Sequence, residues 1–585
     1  MQVPDYASEA TMTDPVSSAV QLPDLALGAA EAAYRAAVDQ ARDGEWARRL
    51  FDRDVSLWST DAEVGRAISE RLGWLDAPAD ASDDIPALEG FGDGIVDAGF
   101  TTAVVAGMGG SSLAPDVLHR TFGASEGYLD LRILDSTDPA AVAAVLDDLD
   151  PLQTLMIIAS KSGTTVEPNA FLADAWHRLV ERLDHVKHHA YDRPGEAFVA
   201  ITDPGNAKAI AHHDEFREIF LNDPNVGGRY SALTYVGLVP ASLIGIDLDP
   251  LIESATAMLA ACREPDPAAN PGVSLGLAIG TLARDGRDKL TFLADDEISS
   301  FGAWAEQLLA ESTGKHGVGI VPIDLEPLGT PASYGDDRAF VRMSLEEGTD
   351  GGRDALADAL EAAGHPVIRI SVADPIDLAG EFVRWEVAVA IAGIVLGIDP
   401  FDQPNVEEAK QLTRDVLEKA ERGEPMTSNV PSVRTDGADL TGQLRDHLAR
   451  RKPNAYLALQ AFIAPTPARD EAMSRIRGRL RDATRNATTA GYGPRFLHST
   501  GQLHKGGPAT GWFLQFTADH PEDRQIPGWP YTFGRLIDAQ ADGDHAAIAS
   551  HDLPIMRVHL GADPDAALAA LERALDAALA TITEG

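Results

Sequence analysis

Two short loops carry the residue types that hold a phosphate. Gly107-Met108-Gly109-Gly110-Ser111-Ser112 follows an apolar run and leads into a helical pattern. Glycine lets a backbone approach a ligand closely, and the free N–H groups of a helix start attract an anion. Gly110 and Ser111 are the candidate contacts here. Ser160-Lys161-Ser162-Gly163-Thr164-Thr165 repeats the arrangement after a second apolar run. Ser160, Ser162, Thr164 and Thr165 can donate to phosphate oxygens, and Lys161, the first lysine of the chain, adds positive potential. Either loop alone suits a tight turn or a Ser/Thr N-cap cluster as well. Two of them at the carboxyl ends of strands in one sheet point to an anion site, since ligands of open α/β sheets bind at that edge. Neither is a Walker A sequence, and a dinucleotide fingerprint would need glycine where Ser112 stands. The expected ligand is a small phosphorylated metabolite rather than a nucleotide.

The elements that must position these loops are legible in outline. β-Branched runs at 101–106, 131–134, 155–159, 197–201 and 217–221 alternate with longer amphipathic stretches. This is the βαβ pattern of a parallel sheet covered on both faces. A second series lies at 290–294, 318–322, 339–343 and 367–370, and a third at 456–464, 511–517 and 555–560. The expected architecture is α/β, with two parallel-sheet domains at 96–250 and 251–425 and a C-terminal α/β segment, 440–585, completing the second. Residues 26–95 read as helical, with 77–84 as a linker, and 1–25 as unstructured. Glu311 closes a predicted helix over 300–312. From position alone it reads as an exposed helix-end carboxylate.

Composition narrows the function class. The 585 residues hold 91 Asp and Glu against 48 Lys and Arg, a net charge of -43. Such a surface repels nucleic acid. Lysine is scarce, nine against 39 arginines, which suits both a salt-rich cytoplasm and a GC-rich coding bias. No apolar run approaches the ~18 residues of a membrane span, and the N-terminus lacks the pattern of a signal peptide. The single cysteine, Cys262, allows no intrachain disulfide and reads as a small buried hydrophobe. A cytoplasmic location is the expectation. His188, His189, His212 and His213 have no metal-site spacing, and neither metal nor cofactor is expected.

At these loops and three further blocks the chain resembles the phosphoglucose isomerase family of the sugar isomerase (SIS, flavodoxin-like) fold. Residues 107–111 look like its glycine loop, and 160–165 like its phosphate loop, with Gly163 replacing an aromatic residue. Gly227-Gly228-Arg229-Tyr230-Ser231 looks like its GGR[FY]S signature, and Glu311-Ser312-Thr313-Gly314-Lys315 like its ES-x-GK block. The run from Asp399 through Gln403 to Lys410 looks like the block in which a glutamine meets the phosphate and a lysine lies in the site. The resemblance is greatest to the isomerase half of transaldolase–isomerase fusions, without the transaldolase part.

The resemblance implies interconversion of glucose 6-phosphate and fructose 6-phosphate through a cis-enediol. Glu311 would be the base, an assignment that the electronegative end of its helix favours in direction. Arg229 would stabilise the enediolate, and Gln403 would bind substrate. The family opens the sugar ring with a histidine that lies between the base and the C-terminal lysine. No residue at 317–364 fills that place. Phe496-Leu497-His498-Ser499-Thr500-Gly501-Gln502 resembles the histidine loop instead, in a permuted order. His498 is therefore assigned to ring opening with Lys410 beside it, and His504 and Lys505 as runners-up. The same chain could then deliver the histidine to its own site, as a monomer or within a homodimer. A dual phosphoglucose/phosphomannose isomerase and a non-catalytic SIS-type regulator are the competing readings.

Overall fold

The computed structural model describes residues 20–185, 193–405, 422, 428 and 430–583. Its strands form three five-stranded sheets. The first is wholly parallel, with Asp130–Leu134, Thr102–Gly107, Thr154–Ala159, Phe198–Thr202 and Glu218–Leu221 side by side. Numbered along the chain, its order is 2-1-3-4-5, the flavodoxin-like doubly wound arrangement. Thr102–Gly107 and Thr154–Ala159 are buried at every position, as a strand covered by helices on both faces must be. The topological switch point lies between these two strands, so the loops that leave them face each other across it.

The second sheet repeats the order 2-1-3-4 with Lys289–Ala294, Val321–Ile323, Arg338–Leu345 and Val367–Val372. Asp24–Ala26 adds an antiparallel edge strand, so the ordered chain begins before residue 26. Residues 440–585, expected to complete the second domain, add no strand to it. Tyr456–Phe462, Ala487–Tyr492, Gly511–Thr517 and Ile555–His559 pair among themselves, again in the order 2-1-3-4, with Ser432–Arg434 outside. The third sheet has its own core around Leu457, Ile476, Trp512 and Leu571, while the first two share one.

The stretch 77–84 is not a linker but the start of the helix Ala77–Asp97. Pro78 sits in its first turn, where no N–H donor is required. Ala81, Ile85, Leu88, Gly92 and Ile95 then bury one face at helical spacing. Of the aspartates that suggested a linker, Asp80 and Asp83 are exposed, and Asp84 is half-buried and accepts from Tyr235 Oη at 2.7 Å. The apolar run at 387–398 falls in the buried helix Leu378–Leu396. Among the described residues no helix is long and apolar enough to cross a membrane. Cys262 is buried, and that burial pushes its thiol up to about 12.

Candidate active site

The helix Phe301–Thr313 ends at Gly314 and carries Glu311, the predicted base, in its last turn. Glu311 is not the exposed carboxylate that position alone suggests; only 6% of it is exposed. Two groups meet it. Arg229 Nη1 lies 3.5 Å from Oε1, and Gln307 Nε2, one turn earlier, donates to Oε2 at 3.1 Å. The same Gln307 Nε2 donates to the backbone oxygen of His498 at 2.8 Å. One amide therefore ties the predicted base to the predicted ring-opening residue within a single chain.

Arg229 is 2% exposed and fully engaged. Nε donates to Ser312 Oγ at 2.7 Å, Nη1 to Gln403 Oε1 at 3.0 Å, and Nη2 to the carbonyls of Pro400 and Asp402. It brings together three blocks that are far apart in sequence. Lys315 reinforces this: buried at 0% exposure, its Nζ donates to Asp399 O and Asp402 O. Burial, with Arg229 nearby, pulls the Lys315 ammonium down to about 8. The ES-x-GK spacing thus puts the buried Glu311 carboxylate and a loop-holding cation at one helix end.

The two predicted phosphate loops are positioned by backbone contacts. Gly110 opens the helix Gly110–Phe122, and a Cβ built on it would lie 2.0 Å from Gly228 O. Only a glycine lets the first loop abut the GGRYS segment. The Gly110→Ala variant is expected to lose about 1–3 kcal/mol of stability from overpacking, read as a lower Tm, and to bind phosphorylated ligands more weakly. An unchanged Tm and affinity would show that the two loops yield freely.

In the second loop Gly163 takes a φ of +67, and a Cβ built on it would lie 2.5 Å from Asn206 O, so glycine suits this backbone. Ser160 Oγ and Thr165 Oγ1 lie 2.9 Å apart, as do Ser162 Oγ and Thr164 Oγ1, and Ser162 and Thr164 are exposed. Lys161 does something different from its neighbours. Its Nζ donates to Pro224 O at 2.9 Å and Val226 O at 2.8 Å and pairs with Asp203 at 2.8 Å. It staples the phosphate loop to the segment leading into Gly227 and supplies potential rather than a free donor.

His498 is the half-buried residue of the permuted pair. Its Nε2 meets Glu167 Oε1 at 3.1 Å, and Glu167 is buried in the first turn of the helix Val166–His185. Sequence reading missed Glu167, although it stands two residues past Thr165. A carboxylate in the first helical turn reads as a partner of the helix dipole and carries no further signal. His504, the runner-up, is buried, bonded through Nδ1 to Tyr456 Oη at 3.0 Å and pulled down to about 3 by burial and by Lys505. Lys505 is spent on a buried pair with Asp544 at 2.9 Å.

Gln502 carries the histidine segment onto the site. Its Nε2 donates to Gly314 O at 2.9 Å and Asn405 Oδ1 at 2.8 Å, and its Oε1 accepts from Asn405 N. The chain thus leaves Asn405 beside the histidine helix; Lys410 itself lies outside the described residues, as do His188 and His189. Arg495, three residues before His498, pairs with Asp116 at 2.6 Å and Asp135 at 3.1 Å on the first domain. Away from the site, His212 stacks on Trp176 at 3.9 Å, and His213 Nδ1 bonds to Ile210 O.

A family model described as phosphoglucose isomerase matches residues 89–330. A protein of Rubrobacter xylanophilus named glucose-6-phosphate isomerase is 30% identical over 60% of this chain and 90% of its own length. One of Lactobacillus helveticus with the same name is 27% identical over 62% of this chain and 91% of its own. A crystal structure of a glucose-6-phosphate isomerase from Chlamydia trachomatis superposes with a TM-score of 0.50 at 20% identity, covering 69% of this chain and 81% of that one. The two curated relatives leave more than a third of the chain unmatched.

Proposed function

The chain belongs to the phosphoglucose isomerase family and interconverts glucose 6-phosphate and fructose 6-phosphate; from that premise we propose that Glu311 is the base and His498 the ring opener of a site completed within one chain. The observation that carries this is Gln307, whose amide hydrogen-bonds Glu311 and the His498 backbone at once.

The substrate's phosphate binds the hydroxyls and amides of 160–165 with Ser111, at the switch point of the first sheet. Ring opening breaks the C1–O5 bond. The electron pair leaves with O5, which takes a proton from the imidazolium of His498, and C1 becomes an aldehyde as O1 loses its proton. That proton passes to water; Lys410, the lysine that the resemblance implies for the site, lies outside the described residues. Glu311 then removes the C2 proton, the electrons form C1=C2, and negative charge develops on O1. Arg229 is fixed close by and favours that charge. The proton of O2 passes to O1, the electrons on O2 form C2=O2 as C1=C2 opens, and Glu311 returns its proton to C1 to give the ketose. Proton transfer between adjacent carbons needs only acids and bases, so no cofactor enters the proposal. The charged substrate does not cross a bilayer unaided, which suits a cytoplasmic enzyme.

The test is a coupled assay run over a wide dilution series with the mass followed in parallel. Activity on glucose 6-phosphate is expected, with specific activity unchanged where only monomer remains. Activity that vanishes as a dimer dissociates would overturn the single-chain site while leaving the reaction in place.

A further inference from the structure

The His498–Glu167 pair is the end of a longer chain of buried hydrogen bonds. Gln540, on the helix Phe533–Ser550 of the third domain, donates through Nε2 to Glu167 Oε1 at 2.7 Å. Its Oε1 accepts from Thr137 Oγ1 at 2.6 Å. Gln540 is 3% exposed and Thr137 0%. Thr137 follows the strand Asp130–Leu134 of the first domain, so the amide bridges two domains that are far apart in sequence.

We propose that Gln540 is a positioning residue for ring opening, holding Glu167 so that this carboxylate fixes the tautomer and orientation of His498. The acceptor-only carboxylate of Glu167 decides which way the amide faces, and the Thr137 hydroxyl holds the amide oxygen in that orientation. With the amide oxygen committed to that hydroxyl, the NH₂ group is turned to Glu167, and a flipped amide would set two oxygens against each other. Glu167, thus held as an acceptor, takes the hydrogen bond of His498 Nε2–H. Nδ1 is left as the nitrogen that carries the mobile proton to O5. The same logic orients a metal-bound or catalytic imidazole through the partner on its second nitrogen. Gln540 and His498 both come from the C-terminal segment, so its packing against Thr137 and Glu167 sets the geometry of the imidazole.

This inference rests on His498 as ring opener, and its test separates the two claims. Ring opening is followed by itself as exchange of magnetisation between the α and β anomers of glucose 6-phosphate. Gln540→Leu is expected to lower both anomer exchange and kcat by about 10- to 100-fold, the factor that a lost hydrogen bond to a charged group carries, with KM little changed. Thr137→Val is expected to follow in the same direction, and Thr137→Ser to restore wild-type rates. Anomer exchange at the wild-type rate in Gln540→Leu overturns the proposal. Should Gln540→Leu fail to fold, the Thr137 pair decides: equal impairment of the valine and serine variants, or of neither, sinks it. Anomer exchange that survives His498→Ala would instead defeat the ring-opening assignment beneath it.

Discussion

The Glu311→Gln enzyme is expected to lose about 10⁴-fold in kcat, the upper range for a positioned acid–base group, with KM within a few-fold of the original. Glutamine keeps the shape and can still accept from Gln307, so the link from Gln307 to His498 survives. Arg229 loses its anionic neighbour but keeps Ser312, Gln403, Pro400 and Asp402, so the 400–403 loop stays in place. The phosphate loops do not touch Glu311 and go on binding substrate. Anomer exchange of glucose 6-phosphate should persist, because ring opening does not use the carboxylate. The measurements are the coupled assay, substrate binding by calorimetry and the NMR exchange rate. A variant that loses binding along with turnover would make Glu311 a structural residue.

His498→Ala should show the opposite pattern. Isomerisation of the closed sugar falls by about 10²- to 10⁴-fold, and anomer exchange falls with it. The backbone oxygen that Gln307 contacts remains, so Glu311 is not displaced. Glu167 loses the imidazole and keeps Gln540, at a cost of about 1–3 kcal/mol for a buried group deprived of a partner, visible as a lower Tm. His504→Phe is the companion variant. It fills a site already lined by Tyr456 and Phe513 and is expected to leave anomer exchange intact. If His504→Phe, and not His498→Ala, abolishes exchange, the assignment of the two histidines is reversed.

The variants differ in how readily the sequence points to their targets. Glu311, Arg229 and the phosphate loops sit in compact blocks where chain spacing dictates geometry: a carboxylate and a lysine four apart at a helix end, hydroxyls grouped after a strand. Such signals are local and survive without a structure. Glu167 gives no comparable signal, because its function is conferred by His498, 331 residues away. Gln540 is further still, 373 residues from the carboxylate it holds. The strand Ala487–Tyr492, from which the chain runs on to His498, escaped notice because Thr488, Thr489 and Gly491 break the apolar run that marks its neighbours. The helix at 77–84 was obscured by Pro78 and a run of aspartates, which suit a helix start and its outer face as well as a linker.

By itself the sequence determined an α/β chain of parallel sheets and two glycine- and hydroxyl-rich loops after strands, because each depends on residues that are neighbours along one element; the reading of Glu311 as a base rested on the family resemblance. It also named His498, through a block whose residues remain together wherever the block is placed. Only the tertiary structure decided that the last 150 residues or so form a third sheet, and that this sheet presses His498 against Gln307 and Glu167. The physical reason is that a hydrogen bond between distant segments forms only where whole surfaces dock. Docking here is set by the summed packing and charge pairing of domains, including Arg495 with Asp116 and Asp135, and no short stretch of sequence carries that sum.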